Sequence, residues 1–284
     1  LLALRDQGGR VGLGPTLGSD AGARLSRRHR HDASRGGPPG RRSAAADGPS
    51  ALREGGARRP PRRRNRDGKG LTMAIQYEPM TGRYATIEIG GRPCRVYIEE
   101  AGEGIPLLCL HTAGSDGRQY RHMMSDPDIT RDFRVIAFDL PWHGKSNPPV
   151  GFHDEEYRLT TGLYTDAILA VADAMELDRP VVIGCSMGGR IVLHLGAHHA
   201  DRFRALIGVE CADHQTSWYD TSWLHRGDVH GGEVCAAMVS GLVAPQSPDE
   251  FRWETLWGYM QSGPGIFKGD LYFYREDSDF RDRT

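Results

Sequence analysis

Four short stretches of the chain are apolar at nearly every position and end in small or polar residues: 106–110, 135–138, 181–183 and 205–209. Strict alternation would mark a strand with one wet face, whereas continuous runs of this length mark strands buried on both faces. Ahead of them, Tyr84–Ile89 and Cys94–Glu99 do alternate, and Gly90-Gly91 separates them, which predicts an antiparallel hairpin. Between the apolar runs the period lengthens. Residues 119–124 read as a short helix. Leu163, Ala167, Ile168, Val171 and Ala174 recur at helical spacing, and Ile191, Val192, Leu193, Leu195 and Ala197 give a helix apolar nearly all round. A hairpin followed by alternating buried strands and helices predicts an α/β fold. Its sheet is mostly parallel with an antiparallel N-terminal hairpin, and helices cover both faces.

The pattern changes at both ends of this core, which runs over residues 73–213. After Asp213 come Trp218, Tyr219, Trp223, Trp253, Trp257, Tyr259 and Phe267 without strand alternation, and 236–243 and 251–260 read as helices. Residues 214–284 are therefore expected to form a partial helical cap. Residues 1–72 contain no Phe, Trp, Tyr or Ile and carry 17 Lys+Arg against 6 Asp+Glu. Such an Arg-, Gly- and Pro-rich segment buries too little apolar surface to offset chain entropy and is expected to be disordered. Met73 directly precedes the first patterned residues, so it is the expected natural start and 1–72 the expected non-native part. Residues 73–284 hold 19 Lys+Arg against 31 Asp+Glu. That acidic balance argues against nucleic acid as a partner of the folded part. No apolar run approaches the roughly 18 residues that span a bilayer, which argues against a membrane protein. The five cysteines are scattered without Cys-x-x-Cys spacing, which predicts reduced thiols and a cytoplasmic setting. Nothing in the pattern speaks to oligomeric state.

The stretch around the third apolar run carries the chemistry. Val181-Val182-Ile183 leads into Gly184-Cys185-Ser186-Met187-Gly188 and then at once into a helix-like segment. Strand, Gly-x-Ser-x-Gly and helix in that order are the sequence form of a nucleophile elbow, which lifts a serine hydroxyl above the sheet. A side chain at Gly184 or Gly188 would crowd the turn. Ser186 is the expected nucleophile, and the Met187 N–H, at the start of the helix, is an expected donor to an oxyanion. Cys185 reads as a small residue that fits the turn. His194, His198 and His199 read as helix-end solvation rather than a metal site, and neither a metal nor a cofactor is expected.

Two further loops complete the pattern. The first apolar run ends in His111-Thr112-Ala113-Gly114-Ser115. The second ends in Asp139-Leu140-Pro141-Trp142-His143-Gly144-Lys145-Ser146. With these loops and the elbow, residues 73–211 resemble the α/β-hydrolase family. The resemblance implies a second oxyanion N–H from Ala113, with Thr112 in reserve, and a bracing role for His111. It implies a cap whose aromatic residues define the pocket, with Thr112, Trp142 and Trp218 as substrate contacts. Trp142 stands where the family has glycine, at the pocket mouth or packed within its loop. Asp139 and His143 precede the serine, whereas the family's acid and base follow it, so they are not read as triad members. Asp213 stands where some members place the acid. His214, His225 and His230 would have to fold back from the cap to serve as base. The family has two more strands and a histidine after the cap, and no such pattern follows here. The expectation is a C-terminally truncated fragment, inactive as it stands. Its parent would be a serine hydrolase acting on an ester, thioester, lactone or C–C bond of a small molecule. The alternative is a non-catalytic binding protein for a small ligand.

Overall fold

The computed structural model describes residues 75–216 and 230–282. The expectations for residues 1–72, Trp218 and His225 lie outside them. From Tyr77 onward the described residues belong to one unit by their contacts.

Among the described residues six strands form one sheet in the order β1-β2-β4-β3-β5-β6. They are β1 (Thr81–Ile89), β2 (Arg92–Ala101), β3 (Ile105–Leu110), β4 (Phe133–Phe138), β5 (Val181–Cys185) and β6 (Ala205–Val209). The hairpin β1/β2 is antiparallel and turns at Gly90 and Gly91, both at positive φ. Strand β2 pairs antiparallel with β4, and every later pair is parallel. Among the described residues seven α-helices accompany the sheet: α1 (Arg121–Ser125), α2 (Pro127–Thr130), α3 (Thr161–Ala174), α4 (Met187–His198), α5 (Gly231–Ser240), α6 (Asp249–Tyr259) and α7 (Ile266–Tyr272). A single π-helical turn, Phe273–Asp277, continues α7.

The continuous apolar runs are explained by two cores, one on each face. Leu108, Leu110, Ile136, Phe138 and Val182 face α3 and α4, where they meet Tyr164, Ile168, Val171, Ile191 and Leu195. Leu107, Cys109, Val135, Ala137 and Val181 face the other way, onto Tyr120 and Met124. Because successive side chains alternate faces, a strand that serves both cores has no polar position to spare. Strand β6 closes the described sheet as its edge, and Val209 is accordingly exposed.

Local signals set the helix limits. Thr160 accepts the Leu163 N–H through its hydroxyl and caps α3. Thr160→Ala is expected to cost about 1 kcal/mol, measured as a shift in urea midpoint without a change in slope. The short helix expected at 119–124 is a 3-10 turn, Gly117–Tyr120, running into α1. Helix α7 and its π-turn are not predicted by the pattern. They pack tightly: a Cβ at Gly269 would lie 2.9 Å from the Tyr157 carbonyl carbon, and the Gly269 carbonyl accepts the Leu159 N–H at 3.0 Å. Cys235 and Ala236 of α5, Tyr259 of α6 and Phe267 and Leu271 of α7 all join the core on the α3/α4 face.

Strand β3 lies between β4 and β5, so the chain passes from β4 back across β3 to reach β5. Ligands of open α/β sheets sit at the carboxyl ends of the strands where the order reverses in this way. The loops after β3 and β5 meet there, since Leu110 is in register with Gly184.

Candidate active site

Ser186 stands between β5 and α4 with φ 53° and ψ −106°. Positive φ is rare for a non-glycine residue, and this ψ lies outside the left-handed helical well, so the residue is strained by about 1–3 kcal/mol. Its neighbours hold it there. The Ser186 N–H donates to the Val209 carbonyl at 2.8 Å, and its carbonyl accepts the Arg190 N–H at 2.9 Å. Gly184 and Gly188 face each other across the turn. A Cβ at Gly184 would lie 2.8 Å from the Gly189 nitrogen, and one at Gly188 would lie 2.8 Å from the Leu110 Cβ. The hydroxyl caps no helix N–H and instead meets the Tyr274 hydroxyl at 2.6 Å. Met187 opens α4, so its N–H is one of the amides at a helix N-terminus without an intrahelical partner.

The loop after β3 holds its peptide groups one by one. The Thr112 N–H donates to Gln119 Oε1 at 2.9 Å, and the Gly114 N–H to Asp270 Oδ2 at 2.7 Å. The Thr112 carbonyl accepts from the Ser115 N–H at 3.2 Å and from His111 Nδ1 at 2.9 Å. That carbonyl shares a peptide plane with the Ala113 N–H, so the two bonds fix the direction in which the Ala113 N–H points. With Thr112 and Gly114 engaged, Ala113 carries the loop's available amide among the described residues.

Two buried histidines lie side by side behind the loop, ring centroids 4.8 Å apart. The Leu140 N–H donates to His111 Nε2 at 3.3 Å, which leaves Nδ1 as the ring's donor. Burial, together with neighbouring His143, lowers the His111 pKa to about 4, so the ring is neutral. His143 is opposite in character. Its Nδ1 faces the Pro141 carbonyl at 3.1 Å and its Nε2 faces Asp270 Oδ2 at 2.9 Å, both acceptors. Burial alone would lower its pKa, but the charge and hydrogen bond of Asp270, with the Pro141 carbonyl, outweigh it and raise the value. The side chains of His143 and Asp270 are both 0% exposed, and Tyr157 donates its hydroxyl to Asp270 Oδ1 at 3.0 Å.

Asp139 takes no part in that pair. It accepts the Gly117 N–H at 2.8 Å and the Lys145 N–H at 2.7 Å and so braces its own loop. Burial, with nearby Asp116, raises its pKa to about 6. Asp213 pairs with His214 Nδ1 at 2.9 Å, both partly exposed, and His230 pairs with Glu233 at 3.6 Å. Among the described residues no histidine hydrogen-bonds Ser186. Trp142, at φ 80°, stacks on Tyr157 at 5.4 Å and meets Phe152 edge-on at 5.7 Å. It lines a cavity of about 170 Å³ together with Leu140, Leu159 and Leu163, and Ser186 is not among the lining residues. Thr112 is met by the Tyr259 hydroxyl of α6 at 3.4 Å. Burial, with the nearby Glu210 charge, pushes the Cys185 thiol up to about 12, which removes it as a second nucleophile. No group of three or more His, Cys, Asp or Glu side chains among the described residues is placed to share a metal ion.

Sequence reasoning misses Asp270, Tyr274 and Arg190. Arg190 is buried, donates Nε to the Ala212 carbonyl at 2.8 Å and lies 4.4 Å from the centre of the Tyr274 ring. It thereby docks the π-turn against the elbow helix. The available signal for Asp270 was a single acid inside the apolar stripe Ile266, Phe267, Leu271, Phe273 and Tyr274.

A serine turn at the reversal of strand order, tightened by glycines on both sides and flanked by the loop after β3, defines the class: the chain has the α/β-hydrolase fold. Residues 105–224 match the alpha/beta hydrolase fold family. Over 137 residues the chain is 31% identical to 2-hydroxymuconate semialdehyde hydrolase of Pseudomonas sp. (strain CF600), covering 47% of this chain and 44% of that one. It is 30% identical to 2-hydroxy-6-oxo-6-phenylhexa-2,4-dienoate hydrolase of Burkholderia cepacia, covering 46% and 45%. The match thus spans less than half the length of these curated relatives. Among solved structures, a thermophilic esterase from Thermogutta terrifontis superposes with TM-score 0.60 at 18% identity, covering 70% of this chain and 75% of that one. An enol-lactonase from Burkholderia xenovorans LB400 superposes at 0.54 with 19% identity, covering 67% and 70%. At these identities the two structures share the fold alone. No helix among the described residues is long and apolar enough to cross a membrane.

Proposed function

We propose that this chain is part of a hydrolase that uses Ser186 as nucleophile on a small carbonyl compound, an ester, thioester, lactone or activated C–C bond. The observation that carries this is the conformation of Ser186: a strained φ of 53° maintained by surrounding glycines, with the hydroxyl left out of helix capping. Strain of this kind is stored at sites that use it. The Oγ attacks the carbonyl carbon, and the oxygen that becomes negative accepts the N–H groups of Met187 and Ala113. Each such donor contributes about 10²–10³ in rate. The Oγ proton must pass to a base, which then returns it to the leaving group. The family resemblance implies a histidine after the cap for that role, and no described histidine hydrogen-bonds Ser186. Tyr274 is the hydroxyl's neighbour, but burial pushes its pKa well above the ordinary tyrosine range, so it retains its own proton and positions Oγ rather than activating it. The two curated relatives are named for hydrolysing 2-hydroxymuconate semialdehyde and 2-hydroxy-6-oxo-6-phenylhexa-2,4-dienoate, which supports a small-molecule substrate. Helices α5 and α6 serve as the cap beside Thr112. No cofactor enters the reaction. The five cysteines are all free thiols, in keeping with a cytoplasmic protein.

The test is covalent labelling of the whole protein of which this chain is part by a fluorophosphonate probe, read by peptide mass spectrometry. Labelling is expected at Ser186 and is lost in Ser186→Ala. A folded protein left unlabelled at Ser186 favours a binding module built on the same fold.

A further inference from the structure

We propose that Asp270 is a positioning residue for the oxyanion site: its carboxylate clamps the Ala113–Gly114 segment and ties it to His143. The inference rests on the reading of Ser186 as nucleophile and concerns a residue that the elbow motif does not contain.

The Gly114 N–H donates to Asp270 Oδ2 and the Tyr157 hydroxyl to Oδ1. His143 has acceptors at both ring nitrogens, the Pro141 carbonyl and Oδ2. One proton lies between His143 Nε2 and Asp270 Oδ2, and the raised pKa of His143 favours it on the ring, so that a carboxylate faces an imidazolium and every partner is satisfied. Three loops thus converge on one side chain of α7: the loop after β3 through Gly114, the loop after β4 through His143, and the segment before α3 through Tyr157. Helix α7 grips Gly114 a second time, because Phe267 lies where a Cβ would stand, with Cδ2 2.7 Å from it.

The position of the clamp gives it a purpose. His111 and Ser115 hold the peptide plane of the Ala113 N–H from one side, and Asp270 holds the next plane through Gly114. Burying a charge pair costs several kcal/mol per ion, and well-packed apolar groups of similar volume stabilise a fold at least as well. An ion pair at this point supplies instead a directional acceptor that no apolar side chain offers. The other groups that sense it from the surrounding elements are His111, Asp139, Tyr164, Cys235 and Tyr259.

The whole protein of which this chain is part, in its wild-type form and as Asp270→Asn, is compared by the kinetics of fluorophosphonate labelling at Ser186. The variant is expected to lower the maximal labelling rate about 100-fold or more, the loss of one oxyanion donor, with the probe's half-saturating concentration within about threefold of wild type. Thr160→Ala, destabilised at a remote helix cap, is expected to label like wild type and shows that lost stability alone does not slow the reaction. A folded Asp270→Asn that labels at the wild-type rate overturns the proposal. If the wild-type protein does not label at all, the nucleophile reading fails, and the clamp is decided by NMR on the wild-type protein. The Gly114 amide resonance is then expected to shift with the same pH midpoint as the His143 ring, and a Gly114 resonance indifferent to that titration overturns it. The same NMR measurement decides the case if Asp270→Asn does not fold.

Discussion

Gly188→Ala is expected to lower stability by about 3 kcal/mol or more and to abolish labelling at Ser186. The added Cβ would stand 2.8 Å from the Leu110 Cβ and 2.9 Å from the Leu110 carbonyl carbon, with the carbonyl oxygen nearer still. These atoms belong to β3 at the residue in register with Gly184, so no side-chain rotation relieves the overlap. Either α4 lifts from the sheet or the β3/β5 pairing opens, and both moves displace the Met187 N–H from the end of β3. Overpacking of a close-packed interior costs about 1–3 kcal/mol where side chains can shift and more where backbone must. Gly162 supplies the contrast. It lies in the first turn of α3, and nothing stands within 4 Å of a Cβ placed there. Gly162→Ala is therefore expected to be neutral or to stabilise by up to about 1 kcal/mol. Urea unfolding of both variants makes the measurement. A Gly188→Ala protein as stable as Gly162→Ala would show that the turn has slack.

His143→Leu is expected to cost about 3–5 kcal/mol, because it leaves the Asp270 carboxylate buried without its counter-charge. The double variant His143→Leu/Asp270→Leu is expected to recover most of that loss, since it removes both charges together. The pair also writes a pH signature. The folded value of His143 is raised, so its contribution is fully present below the unfolded value of about 6.5 and is lost as pH rises through the folded one. His111 runs the other way. Its value falls to about 4 in the folded protein, so its contribution is present above about 6.5 and is lost as pH falls from there towards 4. That loss amounts to about 3 kcal/mol. Together the two rings place a stability maximum near pH 6.5. The decline between pH 6.5 and 8, below the range where the thiols titrate, is expected to vanish in the double variant. Unfolding midpoints at half-unit pH steps decide it, and an unchanged decline in the double variant would assign the slope to other groups.

The fold and the elbow were legible because their causes are local. Continuous apolar runs report strands buried on both faces, and Leu107/Leu108 or Val135/Ile136 do divide between two cores. The steric demand for glycine at 184 lies within five residues of Ser186, at Gly188 and Gly189, whereas that at 188 comes from Leu110 of β3. Family resemblance implies Ala113 as the oxyanion donor with Thr112 in reserve, and the engagement of the Thr112 N–H by Gln119 is a contact across seven residues that the pattern does not show.

What the sequence by itself determined is thus the layered sheet, the order of its loops and the serine turn, each dictated by periodicity or by backbone sterics within one element. What only the tertiary structure decided is the charge state of the loops around that serine. Asp270 is separated from His143 by 127 residues and from Gly114 by 156, and Tyr274 from Ser186 by 88. A lone acid in an apolar stripe or a histidine in a glycine turn has no partner in its own window. The energy of a buried charge depends on what faces it through space. For that reason two adjacent histidines, one with its pKa lowered by burial and one with its pKa raised by a carboxyl partner, read alike in the sequence and differ only once the chain is folded.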